Sequence, residues 1–530
     1  MKHIRLVGTG AIILMLALCL AASIGYTALH GNLERSSYAE PLPAAPQEDD
    51  PLAHIRDDFV VDRDFSSHLP IVILDTGGID PPINTQIEGD RFVAIEGVDP
   101  YVKGTLTLLD DPSGENHLGD EPAVVSHMII KRRGNSSMLY EKAQWLVKLQ
   151  TESGQDNDVD LLGMGAEHEW VLNGSMADKS MLRNYLVYSA ASELSLLTPD
   201  SQFCEVLIRN GNTYTYQGVY LLCESIKQGV DRVPIQEYES SRSVNSYLAR
   251  RDRFEENVTM LDTYARNMGY SKEWIELLYP TRTKVSDEMI AYVENDLNQI
   301  EKVLYAEDEK TFSAYHQLID VESFVDYFLF NEFFGSYDSG NYSTYFYKDL
   351  GGKLTMGPVW DYDGTMDNYI YEPLAAEDLA FQTKPWFEQL CQDKAFVNAL
   401  QKRYTELRAT VFSSQNINAK IDEIVAYLGG AQEREWARWG HWYTTQNRYS
   451  LEDYLTEDDT VLYRNATTYS EEISRIKSAL YEHGNNIFTA LQVLEQDCIW
   501  DTGMDSWRGL LLLFAAMLFL VPAYYVSYRK

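Results

Sequence analysis

The chain has 530 residues, with 80 acidic against 44 basic side chains and a formal net charge of −36. That length accommodates two to three domains, or one large two-lobed domain with extensions. A surface this acidic excludes nucleic acid as an expected partner, because phosphate-backbone binding depends on basic surface and counterion release.

Lys2, His3 and Arg5 precede an uncharged run from Leu6 to about Leu29. Its length fits either a signal peptide or an uncleaved anchor helix, and both stay open. A second apolar run, Gly509 to Val526, follows Trp507 and precedes Arg529 and Lys530. Positive charge at both ends places both termini in the cytoplasm and the body between them outside the cell membrane. Residues 30–67, rich in Pro, Ala and acid, read as a flexible linker.

From His68 the pattern turns to short apolar runs broken by Gly, Pro and Asp. Strands are expected at Pro70–Leu74, Phe92–Ile95, Gly104–Leu109 and Ala123–Ile130. The turn Gly134-Asn135-Ser136-Ser137 follows, with small residues whose backbone N–H groups can approach a phosphate. Beyond it stand Lys142 and the strand Trp145–Leu149, whose Lys148 can project toward the same anion. A surface turn with solvated lysines explains these residues equally well. Asp178 is a candidate N-cap for an amphipathic helix carrying Arg183 and Asn184, two residues expected to be packed rather than chemical.

Phe203–Arg209 and Gln217–Glu224 form a hairpin around Asn210-Gly211-Asn212. Its Cys204 and Cys223 leave a cross-strand disulfide and buried free thiols both open. Glu224 ends the second strand where a two-lobed nucleotide binder has its inter-lobe connection. Helical periodicity is expected at Asp252–Leu278, Ser286–Tyr305, Val321–Phe334, Trp386–Arg408, Asn418–Leu428, Glu433–Trp442 and Ser470–Leu494. Strands first and helices later predicts an α+β protein.

The helix at 321–334 delivers the chain into Asp338-Ser339-Gly340-Asn341-Tyr342, a short strand, and then Trp360-Asp361-Tyr362-Asp363-Gly364. An acid and an amide three residues apart, followed by an acid pair, form the all-oxygen donor set that Mg²⁺ or Mn²⁺ prefers. Ordinary solvated turns use the same residue types. The aromatic framing by Tyr342, Tyr345, Phe346, Tyr347 and Trp360 puts the acids at the edge of a core instead, where a carboxylate needs a partner.

Together, Arg133-Gly134-Asn135-Ser136-Ser137, Lys148-Leu149, Leu182-Arg183-Asn184, Gly218 to Glu224, Asn341-Tyr342 and Trp360 to Gly364 resemble the spore-coat protein H (CotH) kinase family over roughly residues 70 to 410. The resemblance implies a two-lobed, atypical protein-kinase-like fold that phosphorylates Ser or Thr on cell-surface, spore or envelope proteins with ATP and Mg²⁺ or Mn²⁺. It implies a β-rich N-lobe at 68–235, a helical C-lobe with the catalytic and metal loops at 236–410, and a helical extension at 411–500. The apolar segments at 1–29 and 507–526 would make this a membrane-anchored member.

By the same resemblance, Asp338 is the catalytic-loop aspartate that orients or deprotonates the acceptor hydroxyl. Asn341 and Asp361 hold the metal, and Asp363 supports them. Lys148 resembles the phosphate-binding lysine, with Lys142 as competitor. Asn135 and Ser136 lie on the phosphate side, and Glu224 lies at the adenine hinge. The glutamate that pairs with the lysine stays open between Glu193 and Glu205. Gly364-Thr365-Met366-Asp367 departs from the family's small-aromatic-Gly stretch. A catalytically inactive envelope scaffold with the same fold is the alternative reading, and a surface hydrolase using Asp361 and Asp363 is a weaker third.

Overall fold

The computed structural model describes residues 35–503 apart from 89–90, 135, 175, 195, 369–373, 375–378 and 445–464. The apolar runs at 6–29 and 509–526 lie outside the described residues. Among the described residues, no helix is long and apolar enough to cross a membrane. The architecture is mixed α+β, with two main sheets and a helical half.

The first sheet contains β1 (Ile71–Asp75), β2 (Val102–Leu109), β3 (Val124–Arg132), β4 (Trp145–Gln150), β5 (Glu169–Asn173), β6 (Ser201–Asn210) and β7 (Thr213–Glu224). Its eight-stranded order is Val60–Val61, β7, β5, β4, β3, β2, β1, β6. Because β6 pairs in parallel with β1 and antiparallel with β7, the sheet closes on itself.

The two-residue side-chain period sorts each strand between two cores. Trp145, Val147 and Leu149 point inward with Met128, Ile130, Trp170, Leu172 and Leu222. Val171, Leu221 and Cys223 point outward onto the core shared with the helices, and Leu146 packs against it. Lys148 falls in the same alternating set as Leu146. The cysteines separate the same way, Cys204 inward and Cys223 outward, opposite Tyr220 and Ser201 respectively. That geometry excludes the disulfide, and both thiols are free and buried.

The second sheet corrects a sequence expectation. Residues 252–278, read as a helix, instead enter β8 (Tyr247–Asp252), β9 (Thr259–Leu261) and β10 (Trp274–Tyr279), with only a short helix at Tyr264–Asn267. Pairing of β8 with β10 and with β11 (Thr344–Lys348) decides the matter. The sheet order is β9, β10, β8, β11, then Thr355–Met356.

The helices follow the expected positions more closely. α1 spans Arg183–Ser192, one turn later than Asp178 suggested. Asp178 nevertheless accepts the Arg183 N–H at 2.9 Å and pairs with its guanidinium. Helix α2 (Asp287–Leu304) is capped by Ser286. Helix α3 (Val321–Phe334) starts at the Asp320 cap and ends at Gly335, whose φ of 66° suits a residue without a Cβ. It is apolar all round because it is surrounded by core. Two predicted helices merge into α5 (Ser414–Thr444), kinked at Gly429, between α4 (Lys394–Ala409) and α6 (Tyr469–Gln496).

The described part of the expected linker does not hang free. Arg35 is buried against Glu224, Ser36 and Ser37 donate their N–H groups to Asp200, and Tyr185 donates to the Ser37 carbonyl. Further on, Leu42 donates to Glu423, Ala45 to the Ala426 carbonyl, and Glu48 pairs with Arg434. The segment is a strap joining the closed sheet to α5. Its acids and prolines resemble a linker by composition, and only the partners reveal the docking.

Candidate active site

The acid cluster forms at the junction of α3, β8 and β11. After Gly335 the chain turns through 336–342, where the Asp338 carbonyl accepts the N–H groups of Asn341 at 3.1 Å and Tyr342 at 2.9 Å. Ser336 Oγ donates to Ser339 Oγ at 2.7 Å, and the Gly340 N–H donates to Thr344 Oγ1 at 2.6 Å. This turn carries both Asp338 and Asn341.

Asp361 comes from the loop after Thr355–Met356 and adopts φ 72°, while Ser343 adopts φ 47°. Ser343 Oγ donates to Asp361 Oδ2 at 3.1 Å, so two residues in the sparsely populated left-handed region meet across the site. Such concentrations of backbone strain gather where geometry is set by function rather than by packing. Asp361 is solvent-exposed, so an ion can reach it. The protein walls around it push its pKa up, while Arg133 and Ser343 pull it down and Asp252 raises it again. Asp338 is raised chiefly by burial and also by Asp361 and Asp252, with Arg253 and Lys384 acting the other way. Asp363 is half-buried, and its backbone carbonyl accepts from Asn368 at 2.7 Å.

Helix α1 fixes the Asp361–Asp363 loop. Asn184 Oδ1 accepts the Tyr362 N–H at 2.8 Å, and Arg183 donates Nε to the Thr365 carbonyl at 2.9 Å while pairing with Asp178 and Glu472. These two residues are packed, as the sequence suggested, and they position the acids. Thr365 and Met366 are buried against the same support, which accommodates the departure at 364–367.

Beside Asp361 lies Arg133, which neighbours Lys131, and Lys131 in turn neighbours Lys148. Lys148 pairs with Glu169, its cross-strand neighbour, at 2.8 Å. Burial opposes the charge on Lys148, but Glu169 more than offsets this and its pKa is raised, while that of Glu169 is lowered. The glutamate that pairs with Lys148 is thus neither Glu193, which pairs with Lys420, nor Glu205, which pairs with Arg434. Lys131 lies over the Tyr101 ring at 5.4 Å, and burial lowers its pKa. Arg133 stacks on Trp360 at 4.7 Å, beside Asp361. Neither Lys131 nor Arg133 makes a salt bridge among the described residues.

Two sequence candidates have other occupations. Lys142 is buried, donating to Glu435 at 2.6 Å and to the Val219 carbonyl at 2.8 Å, so its ammonium is committed to anchoring α5. Glu224 is clamped by Arg35 and Arg232 and accepts the Asp200 N–H; burial still pushes its pKa up to about 7. The Glu224 carboxylate is thus a structural anchor. Gly134 has φ 102°, and a Cβ there would meet Ser137 Oγ at 1.9 Å, which explains the glycine in the turn. Asn135 and the Ser136 side chain lie outside the described residues.

Sequence reasoning missed Asp252, Arg253, Lys131, Arg133 and Lys384 as site residues. The signal was the run Arg250-Arg251-Asp252-Arg253 at the end of an apolar stretch. Arg250 pairs with Glu276, Asp252 and Glu255, and Arg253 stacks on Tyr342 at 3.6 Å. A separate histidine–acid group, Asp158, Glu167 and His168, sits near the β5 end of the closed sheet, and Lys227 already pairs with Glu167.

The structure thus brings carboxylates and cations together at one junction of the fold, with Asp338 and Asp361 beside Arg133 and Arg253. The family model described as CotH kinase protein matches residues 130–480, about two thirds of the chain, and the chain belongs to the CotH kinase family. No curated protein matches the chain. Family membership carries a kinase-like function with ATP as phosphate donor.

Proposed function

We propose that the chain is a metal-dependent protein kinase that transfers the γ-phosphoryl group of ATP to Ser or Thr of cell-surface or envelope proteins. The observation that carries this reading is the meeting of Asp338 with Asp361 beside Arg133, which in turn neighbours Lys131. Carboxylates disfavoured by neighbouring acids, Asp338 by Asp361 and both by Asp252, are a fitting donor set for Mg²⁺ or Mn²⁺, since a cation relieves such repulsion. Asp361 and Asn341 would hold it, and Asp363 would support the loop of Asp361. When bound, the metal neutralises charge on the phosphate oxygens.

The residues of the chain do the rest. Lys148, oriented by Glu169, and the unpaired Lys131 and Arg133 bind the phosphates electrostatically. Asp338 accepts a hydrogen bond from the acceptor hydroxyl and takes its proton as the new bond from the acceptor oxygen to the γ-phosphorus forms and the bond from that phosphorus to the β–γ bridging oxygen breaks, leaving ADP. The transferred group spreads charge over its oxygens, so fixed cations lower the barrier without rearranging. The apolar runs at 6–29 and 509–526 put this kinase at the cell membrane with its body outside.

The test is incubation of the full-length chain, in mild detergent, with labelled ATP and Mn²⁺ or Mg²⁺, beside Asp361→Ala and Asp338→Asn. Transfer to the chain itself or to a Ser-rich protein, lost in both variants, is the expected result. Absence of both transfer and thermal stabilisation by ATP and metal in the wild type rejects the kinase in favour of a scaffold.

A further inference from the structure

The turn that carries Asp338 and Asn341 is held from beneath by two buried cations that come from distant parts of the chain. Lys384 Nζ donates to the Tyr337 carbonyl, directly before Asp338. Its methylenes run along Gly340: a Cβ at Gly340 would lie 2.7 Å from both Cβ and Cγ of Lys384. Gly340 also needs its φ of 91°, so side chain and turn fit each other twice. From the other side, Arg251 Nη1 donates to the Gly340 carbonyl at 3.2 Å, while its guanidinium lies 4.0 Å over the Trp386 ring. Trp386, two residues after Lys384, locks that arrangement by donating Nε1 to Glu301 at 3.0 Å.

A lysine 8% exposed is unusual unless its ammonium has a fixed acceptor. Here the acceptor is a carbonyl of the turn itself, so the energy of burying the charge is coupled to one conformation of that turn. The ammonium also opposes the upward push of burial on Asp338. Simple packing would be met by Met or Leu; the hydrogen bond to Tyr337 and the charge beside Asp338 would not.

We propose that Lys384 is a positioning residue for phosphoryl transfer: with Arg251, it grips the 337–341 turn so that Asp338 and Asn341 face the phosphates together. This rests on the kinase reading given above. Displacing such a turn by an ångström lowers turnover more than ATP affinity, because Lys131, Arg133 and Lys148 belong to β3, the residue after it and β4 rather than to the turn.

The experiment compares the full-length chain with Lys384→Met and Lys384→Arg for labelled-phosphate transfer and for peptide-level amide exchange over 337–342. For Lys384→Met, kcat is expected to fall about 100-fold while KM for ATP stays within about threefold. Amide exchange across 337–342 is expected to speed up at least about tenfold. Lys384→Arg, which keeps a donor and a charge, restores most of both. A kcat within about threefold of wild type, or unchanged exchange in that peptide, overturns the proposal. If the wild-type chain transfers no phosphate, the kinase reading falls by itself, and the exchange measurement still decides whether Lys384 holds the turn.

Discussion

Replacing Glu388 by glutamine isolates one buried carboxyl in the layer beneath the catalytic turn. Glu388 Oε1 accepts the Tyr305 hydroxyl at 2.7 Å, whereas its buried Oε2 has no partner. Burial is the main cause that raises its pKa from 4.5 to about 7, against the pull of the Tyr305 hydrogen bond and of Arg251. Below pH 4.5 the group is protonated whether the chain is folded or not. As pH rises from 4.5 to about 7, the unfolded chain releases the proton that the folded chain retains, so the folded state loses stability. The full difference is about 2.5 units at about 1.4 kcal/mol each, and partial solvent access reduces it to about 2–3 kcal/mol.

Glutamine keeps an acceptor for Tyr305 and removes the titration. Its effect on stability should therefore be near zero or slightly negative at about pH 5, and stabilising by about 2–3 kcal/mol at about pH 8. Urea denaturation of both proteins at the two pH values measures this directly. The same stability difference at both would refute the reasoning, since it would mean that Glu388 ionises in the folded chain as readily as in the unfolded one.

Removing the acid proposed to hold the metal, in Asp361→Ala, should slow transfer on the order of a thousandfold, about 4 kcal/mol, with little change in melting midpoint because the residue is exposed. Arg133→Met should raise KM for ATP about tenfold and leave stability near wild type, as its guanidinium makes no salt bridge among the described residues. Lys142→Met should behave in the opposite way, disrupting the fold by leaving the buried Glu435 charge without its ammonium partner at a cost of about 3–5 kcal/mol. In the strap, Arg35→Met should remove one of the two guanidiniums on Glu224 and lower the thermal midpoint at neutral pH, with a smaller effect at about pH 5, where Glu224 is protonated; an equal effect at both would point to lost packing alone.

Much of the site was legible because its chemistry is local. Asp338 and Asn341 lie on one turn, and Asp361 and Asp363 on another, joined by a strand whose aromatic residues announce a core edge. Helix α3 could be read residue by residue, since Asp320 caps it and Gly335 ends it. The Lys148–Glu169 pair was only half visible: its two strands are adjacent in space and separated in sequence by a hairpin, so nothing local connects the charges. Lys142 and Glu224 looked available because a charged residue near a turn or strand end is usually solvated; their partners Glu435, Arg35 and Arg232 come from remote segments.

The sequence by itself determined the elements whose signal is periodic or capped, the family to which the chain belongs, and the identity of the acids. Only the tertiary structure decided which charges are used up and which remain open. It turned an apparent helix at 252–278 into strands that bring Asp252 and Arg253 to the acids, and an apparent linker into a strap. The physical reason is that helix periodicity and caps act over a few residues. The state of a buried charge is set by whichever oxygen or nitrogen the fold brings within about 3 Å, regardless of its distance along the chain.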